Sequence, residues 1–204
     1  MAVERLPNLP SGADVFLDAN VFIYALGRQS NECHDFLNRC STEDVFGVTT
    51  LEVINEVTHR LMLTEAVAKG VITKGNASAL KGKWRDVAKL TEYWTLTSRI
   101  FGLNILLVGS DDPRLHRAQT VRSNHGLLTN DSLILATMVE YGINCLASRD
   151  GDFDHIQGLT VYKPADCDGY KDKKPDLFKD VCCIPLSILK SLFKCLIYCF
   201  MLLT

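Results

Sequence analysis

No excess of either charge runs through this sequence: 22 Lys and Arg against 24 Asp and Glu leave a formal net charge of −2 over 204 residues. That balance argues against a protein that coats nucleic acid by bulk charge, which needs a strongly basic domain. It leaves room for a metal enzyme acting on nucleic acid, because bound cations neutralise acids and local basic patches hold phosphates. None of the 8 cysteines forms a C-x-x-C pair, and Cys33, Cys40 and Cys145 are scattered through regular segments. A disulfide scaffold is therefore set aside for buried free thiols and a reducing, cytoplasmic setting. Residues 1 to 13 contain Pro7 and Pro10 but no apolar h-region, so no secretory signal is expected. P-loop, G-x-S-x-G and G-x-G-x-x-G patterns are all missing, and His34, His116, His125 and His155 show no metal-ligand spacing. No internal repeat is found.

What is present is ordinary for a globular protein, with 47% hydrophobic and 23% charged residues. The length suits one medium domain and an appendage. Val15-Phe16-Leu17 reads as a buried strand ending at Asp18, followed by a helix entry through residues 21 to 26. Cys33, Phe36, Leu37 and Cys40 have the spacing of an amphipathic helix over 31 to 40. A second strand at 45 to 48 precedes a helix over 51 to 63, where Thr49 and Glu52 have capping-box spacing. Residues 64 to 108 read as mostly helical, with Gly70, Gly75 and Gly82 as turns and a strand at 105 to 108. Helices over 113 to 123 and 132 to 141 follow, the second closed by Gly142, then strands at 143 to 148 and 158 to 162. This alternation predicts an α/β fold, a mainly parallel sheet with helices on both faces.

Four carboxylates, Asp18, Glu56, Asp131 and Asp150, stand where an apolar run ends or a helix runs, the positions that face the crevice of an open α/β sheet. Asp18 follows three apolar residues, so burying it unpaired would be costly unless a cation or several donors compensate; a site role is preferred to the blander helix N-cap. Glu52 has a structural task as Thr49's capping partner, which leaves Glu56 as the candidate on that helix. Thr129, Asn130, Asp131 and Ser132 all suit a helix start, so Asp131 is free to point elsewhere, and the amides beside it could hold a phosphate. Of Asp150, Asp152 and Asp154, the first lies nearest the strand end; the others read as turn, cap or supporting residues. The run is no EF-hand loop, because His155 and Val161 occupy the required Gly and Glu slots. Hard oxygen ligands favour Mg²⁺ or Mn²⁺. A phosphatase with Asp18 as nucleophile would want a second acid where Asn20 stands.

These residues closely resemble the PIN-domain family, and within it the VapC-like toxin ribonucleases. The likeness covers residues 14 to 165. It rests on residues 15 to 24 around Asp18, residues 51 to 62 with Glu56-Val57-Thr58-His59-Arg60, residues 127 to 136 around Asp131, and Ala147-Ser148-Arg149-Asp150-Gly151-Asp152-Phe153-Asp154. The resemblance implies a three-layer α/β/α sandwich that binds Mg²⁺ or Mn²⁺, an RNA substrate, a small antitoxin protein, and frequently a homodimer. It implies Asp18 and Asp131 as principal ligands, Glu56 as ligand or water-orienting group, and Asp150 as a ligand through water. Asn20 would orient a ligand or the water, with a local turn bond the equal alternative; Thr129 and Asn130 would help position substrate or water. A PIN nuclease of RNA processing without an antitoxin, or a non-catalytic RNA-binding or assembly module, are the alternatives.

Two features depart from the pattern. Residues 64 to 126 are long for the compact toxins and carry Lys81, Lys83, Arg85 and Lys89 around Trp84, then Arg114, Arg117 and Arg122. Two solvated helix faces with a packed tryptophan are the simpler reading, an RNA path the other. Residues 166 to 180 read as a charged linker, and 181 to 204 as an apolar, Cys-rich, helical tail. A span needs about 20 mostly apolar residues. Lys190 and Lys194 near the middle would each cost roughly 2.5 to 3.5 kcal/mol, so docking on the domain or a dimer partner is preferred to membrane attachment.

Overall fold

A computed structural model describes residues 2 to 167; the apolar tail and the linker past Cys167 lie outside the described residues. The sheet is built from β1 (Ala2–Arg5), β2 (Asp14–Leu17), β3 (Phe46–Thr50), β4 (Leu106–Val108), β5 (Cys145–Ala147) and β6 (Thr160–Lys163). The helices are α1 (Ala19–Leu26), α2 (Asn31–Ser41), α3 (Leu51–Ala68), α4 (Trp84–Val87), α5 (Glu92–Ser98), α6 (Asp112–His125) and α7 (Thr129–Tyr141). Six strands lie in the order β1-β6-β5-β2-β3-β4, and every pairing is parallel. The α/β expectation is met. Val15, Phe16 and Leu17 of β2 are all 0% exposed, as expected for a parallel strand covered on both faces.

From β2 the chain steps outward to β3 and β4, then crosses back to β5. Parallel crossovers are right-handed, so the return through α6 and α7 takes the opposite face from the two outward connections. β2 and β5 are neighbours whose connections leave in opposite directions, which makes their C-terminal ends the switch point where open sheets bind ligands.

Local chemistry explains most of the helix ends. Ser30 caps α2 by accepting from the Cys33 amide, and Cys33, Phe36, Leu37 and Cys40 turn into the core. Gly142 closes α7 at φ +67°, a conformation that costs a side chain. The expected capping box is corrected: Thr50, not Thr49, caps α3 by accepting from the Val53 amide. Thr49 is buried and donates to the Leu17 carbonyl, tying β3 to β2 at the end of both strands.

The sheet also extends beyond the expected start at residue 14. β1 pairs with β6 in register from Ala2 with Thr160 to Arg5 with Lys163, and Leu6 and Leu9 behind it are buried. At the other end Asp166, read as linker, accepts from Ser30 Oγ and the Glu32 amide, and Cys167 is buried. Cys33, Cys40 and Cys167 are buried free thiols, and Cys145 is half-buried.

Residues 69 to 105 hold less helix than expected. α3 runs on to Ala68, after which short turns at Ala77–Leu80 and Arg99–Gly102 flank α4 and α5. This region is clamped to α3 by Glu65, which is 0% exposed. Its carboxylate accepts from Lys69 Nζ at 2.6 Å, the Thr91 amide at 3.0 Å and the Tyr93 amide at 2.8 Å. Thr91 makes no side-chain cap for α5, so Glu65 supplies one from the neighbouring helix. Among the described residues no helix is long and apolar enough to cross a membrane.

Candidate active site

The end of β2 delivers Asp18 to the switch point. The residue is the N-cap of α1, with Oδ1 accepting from the Ala19 amide at 2.6 Å. Capping does not use up the carboxylate. Oδ2 accepts from Ser148 Oγ at 2.6 Å and from Asn20 Nδ2 at 2.5 Å, and the residue is only 8% exposed. Ser148 arrives from β5, one residue past the Leu17–Ala147 pairing. Asn20 also accepts from the Arg149 amide at 3.0 Å, so it makes both a local bond and a bridge between strand ends.

Burial pushes the Asp18 carboxyl up to about 6; the Ser148 and Ala19 bonds oppose that rise, while the charges of Glu56 and Asp131 add to it. Asp131 stands in the first turn of α7, whose N-cap Leu128 makes no side-chain bond. None of Thr129, Asn130, Asp131 or Ser132 is the cap residue, which corrects the expected start. The Asp131 carboxyl is also pushed up to about 6, by burial first and then by the charges of Asp150, Asp152 and Glu56. Asp18, Glu56 and Asp131 therefore share one field, and Asp150 and Asp152 join it on Asp131's side.

A family model for the PIN domain matches residues 15–159. The chain belongs to the PIN-domain family. Ribonuclease VapC6 of Methanocaldococcus jannaschii is 23% identical over 158 residues, 75% of this chain and 99% of that protein. Among solved structures, VapBC2 from Rickettsia felis bound to a promoter DNA fragment is similar with a TM-score of 0.46 and 15% identity, covering 74% of this chain and 98% of that one. VapC20 of Mycobacterium tuberculosis, a Sarcin-Ricin loop cleaving toxin, has a TM-score of 0.43 and 16% identity over 69% of this chain and 92% of its own.

In this PIN domain Glu56 lies at the mouth of the acid cluster, with Oε1 3.7 Å from Arg60 and Oε2 3.5 Å from Asn130 Nδ2. Asn130 so reaches from α7 toward α3, whereas Thr129 contributes its carbonyl, which accepts from Ser132 Oγ. Glu52 loses the capping role assigned to it; its Oε2 is buried without a hydrogen-bond partner among the described residues. It lines, with Glu56, His59, Arg60 and Asn130, an open groove of about 720 Å³. Asp150 is exposed and accepts from the Asp152 amide in a local turn. Asp154 is drawn away to Lys163 at 2.7 Å.

The donor set suits a hard divalent cation: every acid in the cluster offers oxygen, and among the described residues no ion pair involves Asp18 or Asp131. No three acidic, His or Cys side chains among the described residues stand close enough together to hold a metal as they are. Ser148 was missed by sequence reasoning. Its signal was a hydroxyl in the last apolar place of a strand, directly before Arg149-Asp150, where burial at 0% exposure demands partners.

Proposed function

We propose that this PIN-domain chain is a Mg²⁺- or Mn²⁺-dependent endoribonuclease of the VapC-like toxin kind, working in the cytoplasm and restrained by a small antitoxin protein. One observation carries the reading. Two carboxyls from separate elements, Asp18 and Asp131, are both raised to about 6 by burial and by neighbouring acids. Two buried carboxyls with further acids around them, and no ion pair to either among the described residues, suit a bound cation. The likeness to a protein named ribonuclease VapC6 supports RNA as the substrate and the toxin branch.

Asp18 and Asp131 would hold the ion, with Glu56 as a further ligand or as the group that orients water, and Asp150 acting through water. When bound, the ion supplies an acidified water as nucleophile and charge for the phosphoryl oxygens. The remaining work belongs to the chain. Ser148, Asn20 and the Ala19 amide fix the Asp18 carboxylate in one orientation, so no rotamer freedom is lost when it is used. Asp131, free of capping, keeps its acceptors for the ion. Glu56 at the groove mouth is held only by long contacts and can move inward.

The test is cleavage of RNA in Mg²⁺ or Mn²⁺ by parent and by Asp18→Asn protein of equal folding. A loss of at least about 100-fold is expected for a group that positions the reacting centre. Equal rates would overturn the assignment. The toxin aspect is read separately: expression should arrest growth, and a co-expressed short neighbouring reading frame should relieve the arrest.

A further inference from the structure

Residues 71 to 90 carry five Lys and Arg and a single acid, Asp86, within a chain whose formal net charge is −2. Trp84 lies in their midst and is 68% exposed, so it is not the packed tryptophan that the sequence suggests. The Arg85 guanidinium lies 4.9 Å from its ring centroid. The second basic set is committed elsewhere, since Arg114 and Arg117 bind Glu140, and Arg122 binds Gln119 and Ser132. The first set is solvent-facing: Lys81, Arg85 and Lys89 are all exposed, and Lys89 has only a long 3.9 Å contact with Asp86.

This cationic segment is fixed relative to the acid cluster. Ile72 and Leu90, near its two ends, pack with Leu63 and Ala66 of α3 in a small second core. Lys83 Nζ reaches back to the Val71 carbonyl at 2.6 Å. The groove that begins at Glu56 and Asn130 runs past His59 and Arg60 to Asn76 and Ala77, the start of the turn that leads into α4. Six residues lie between Ala77 and Trp84, so the Trp84 backbone lies within roughly 25 Å of the groove's far wall.

We infer that the Trp84–Arg85 pair, with Lys81 and Lys89, is a stacking platform for single-stranded RNA whose adjoining stretch lies in the Glu56–Asn76 groove. The inference rests on the ribonuclease reading and names how its substrate is held. An acid cluster repels phosphates, so a nuclease with no bulk positive charge needs attraction nearby, and this segment supplies it. An open indole backed by a guanidinium recognises a flat base without regard to sequence, and flanking cations take the phosphates. One RNA then touches platform and acids together. An acidic protein would use the charges but leave the stacked ring and the connecting groove without purpose.

The test uses the full chain carrying Asp18→Asn, so that RNA survives, and a labelled unstructured 16-nucleotide RNA followed by fluorescence anisotropy. Trp84→Ala should weaken binding roughly tenfold, within the cost of one lost stacked base. Trp84→Phe should restore most of it, and Trp94→Phe, at the other tryptophan, should bind like its parent. In the Trp94→Phe background the emission of Trp84 should be quenched by RNA. Lys81→Ala with Arg85→Ala should flatten the salt dependence by about 0.7 log units per cation. In chains with Asp18 intact, Trp84→Ala should raise KM more than it lowers kcat, and the loss should shrink on a four-nucleotide RNA. If the parent cleaves RNA and Trp84→Ala binds and cleaves the long RNA equally well, the platform is wrong and the nuclease reading stands. Should RNA bind through Trp84 yet never be cut, the nuclease reading falls and the platform stands. With neither binding nor cleavage, both fall.

Discussion

Asp18 opposes folding. Its carboxyl titrates at about 6 in the fold against 3.8 in the ordinary state, a difference of about 3 kcal/mol at about 1.4 kcal/mol per unit. The folded value lies above the unfolded one, so the penalty is absent below the unfolded value, where both states are protonated. It grows as pH rises and is complete above the folded value. In chelator at pH 7, Asp18→Asn should therefore raise Tm, by less than the roughly 6 °C that about 3 kcal/mol would give, because its amide nitrogen cannot accept the bonds that Ser148 and Asn20 donate to Oδ2; the gain should shrink toward pH 4. A thermal melt at both pH values checks this; no gain at pH 7 would mean that burial does not strain the group. Added Mn²⁺ should raise the Tm of the parent through binding to the folded state and leave Asp18→Asn almost unmoved. An equal shift in both would place the ion elsewhere. The acids were legible from sequence because carboxylates at strand ends are conspicuous. Ser148 and Asn20's second bond were not, because a lone hydroxyl or amide shows its partners only after strands from opposite ends of the chain are adjacent.

Elements followed from local patterns wherever burial dictated them. β2 and β5 read as strands because apolar runs covered on both faces have no other home, and α2 declared itself by spacing and cap. β1 gave no such signal, since all four of its residues are exposed and its place is set by backbone pairing with a strand over 150 residues away. The α3 cap was misplaced by one residue because Thr49 and Thr50 are equivalent by local rules, and only the buried bond to Leu17 separates them. The α5 cap was invisible for a related reason: its carboxylate belongs to another helix. Glu65→Ala should destabilise the protein by about 3 kcal/mol, the cost of breaking a buried charge pair and orphaning two amides. Burial raises the Glu65 carboxyl, but the bonds from Lys69, Tyr93 and Thr91 outweigh it and hold it below 4.5. Its contribution is thus present above 4.5 and lost as pH falls through the lower folded value. A urea titration at pH 7 and pH 3 should show the Glu65→Ala deficit shrinking at the acid end; a constant deficit would assign it to packing alone.

On the scale of the molecule, the edge formed by β1 means that residues 2 to 13 belong to the folded body. A chain cut to begin at Asp14 loses the β1–β6 pairing and the burial of Leu6 and Leu9, which are 0% and 2% exposed. Each buried leucine contributes about 1.5 to 3 kcal/mol, so the urea midpoint should fall clearly. An unchanged midpoint would make the N-terminal strand dispensable. The α/β class, the parallel sheet and the switch-point crevice followed from element alternation, whereas this closing strand did not.

The bond between Asp18 and Ser148 joins residues 130 positions apart. During synthesis β2 emerges early and must wait for β5, because the two become neighbours only after α7 has been made. A nascent chain still inside the ribosome therefore holds its first carboxylate without the strand that orients it. Assembly order alone leaves the candidate site of a half-made copy without its Ser148 partner.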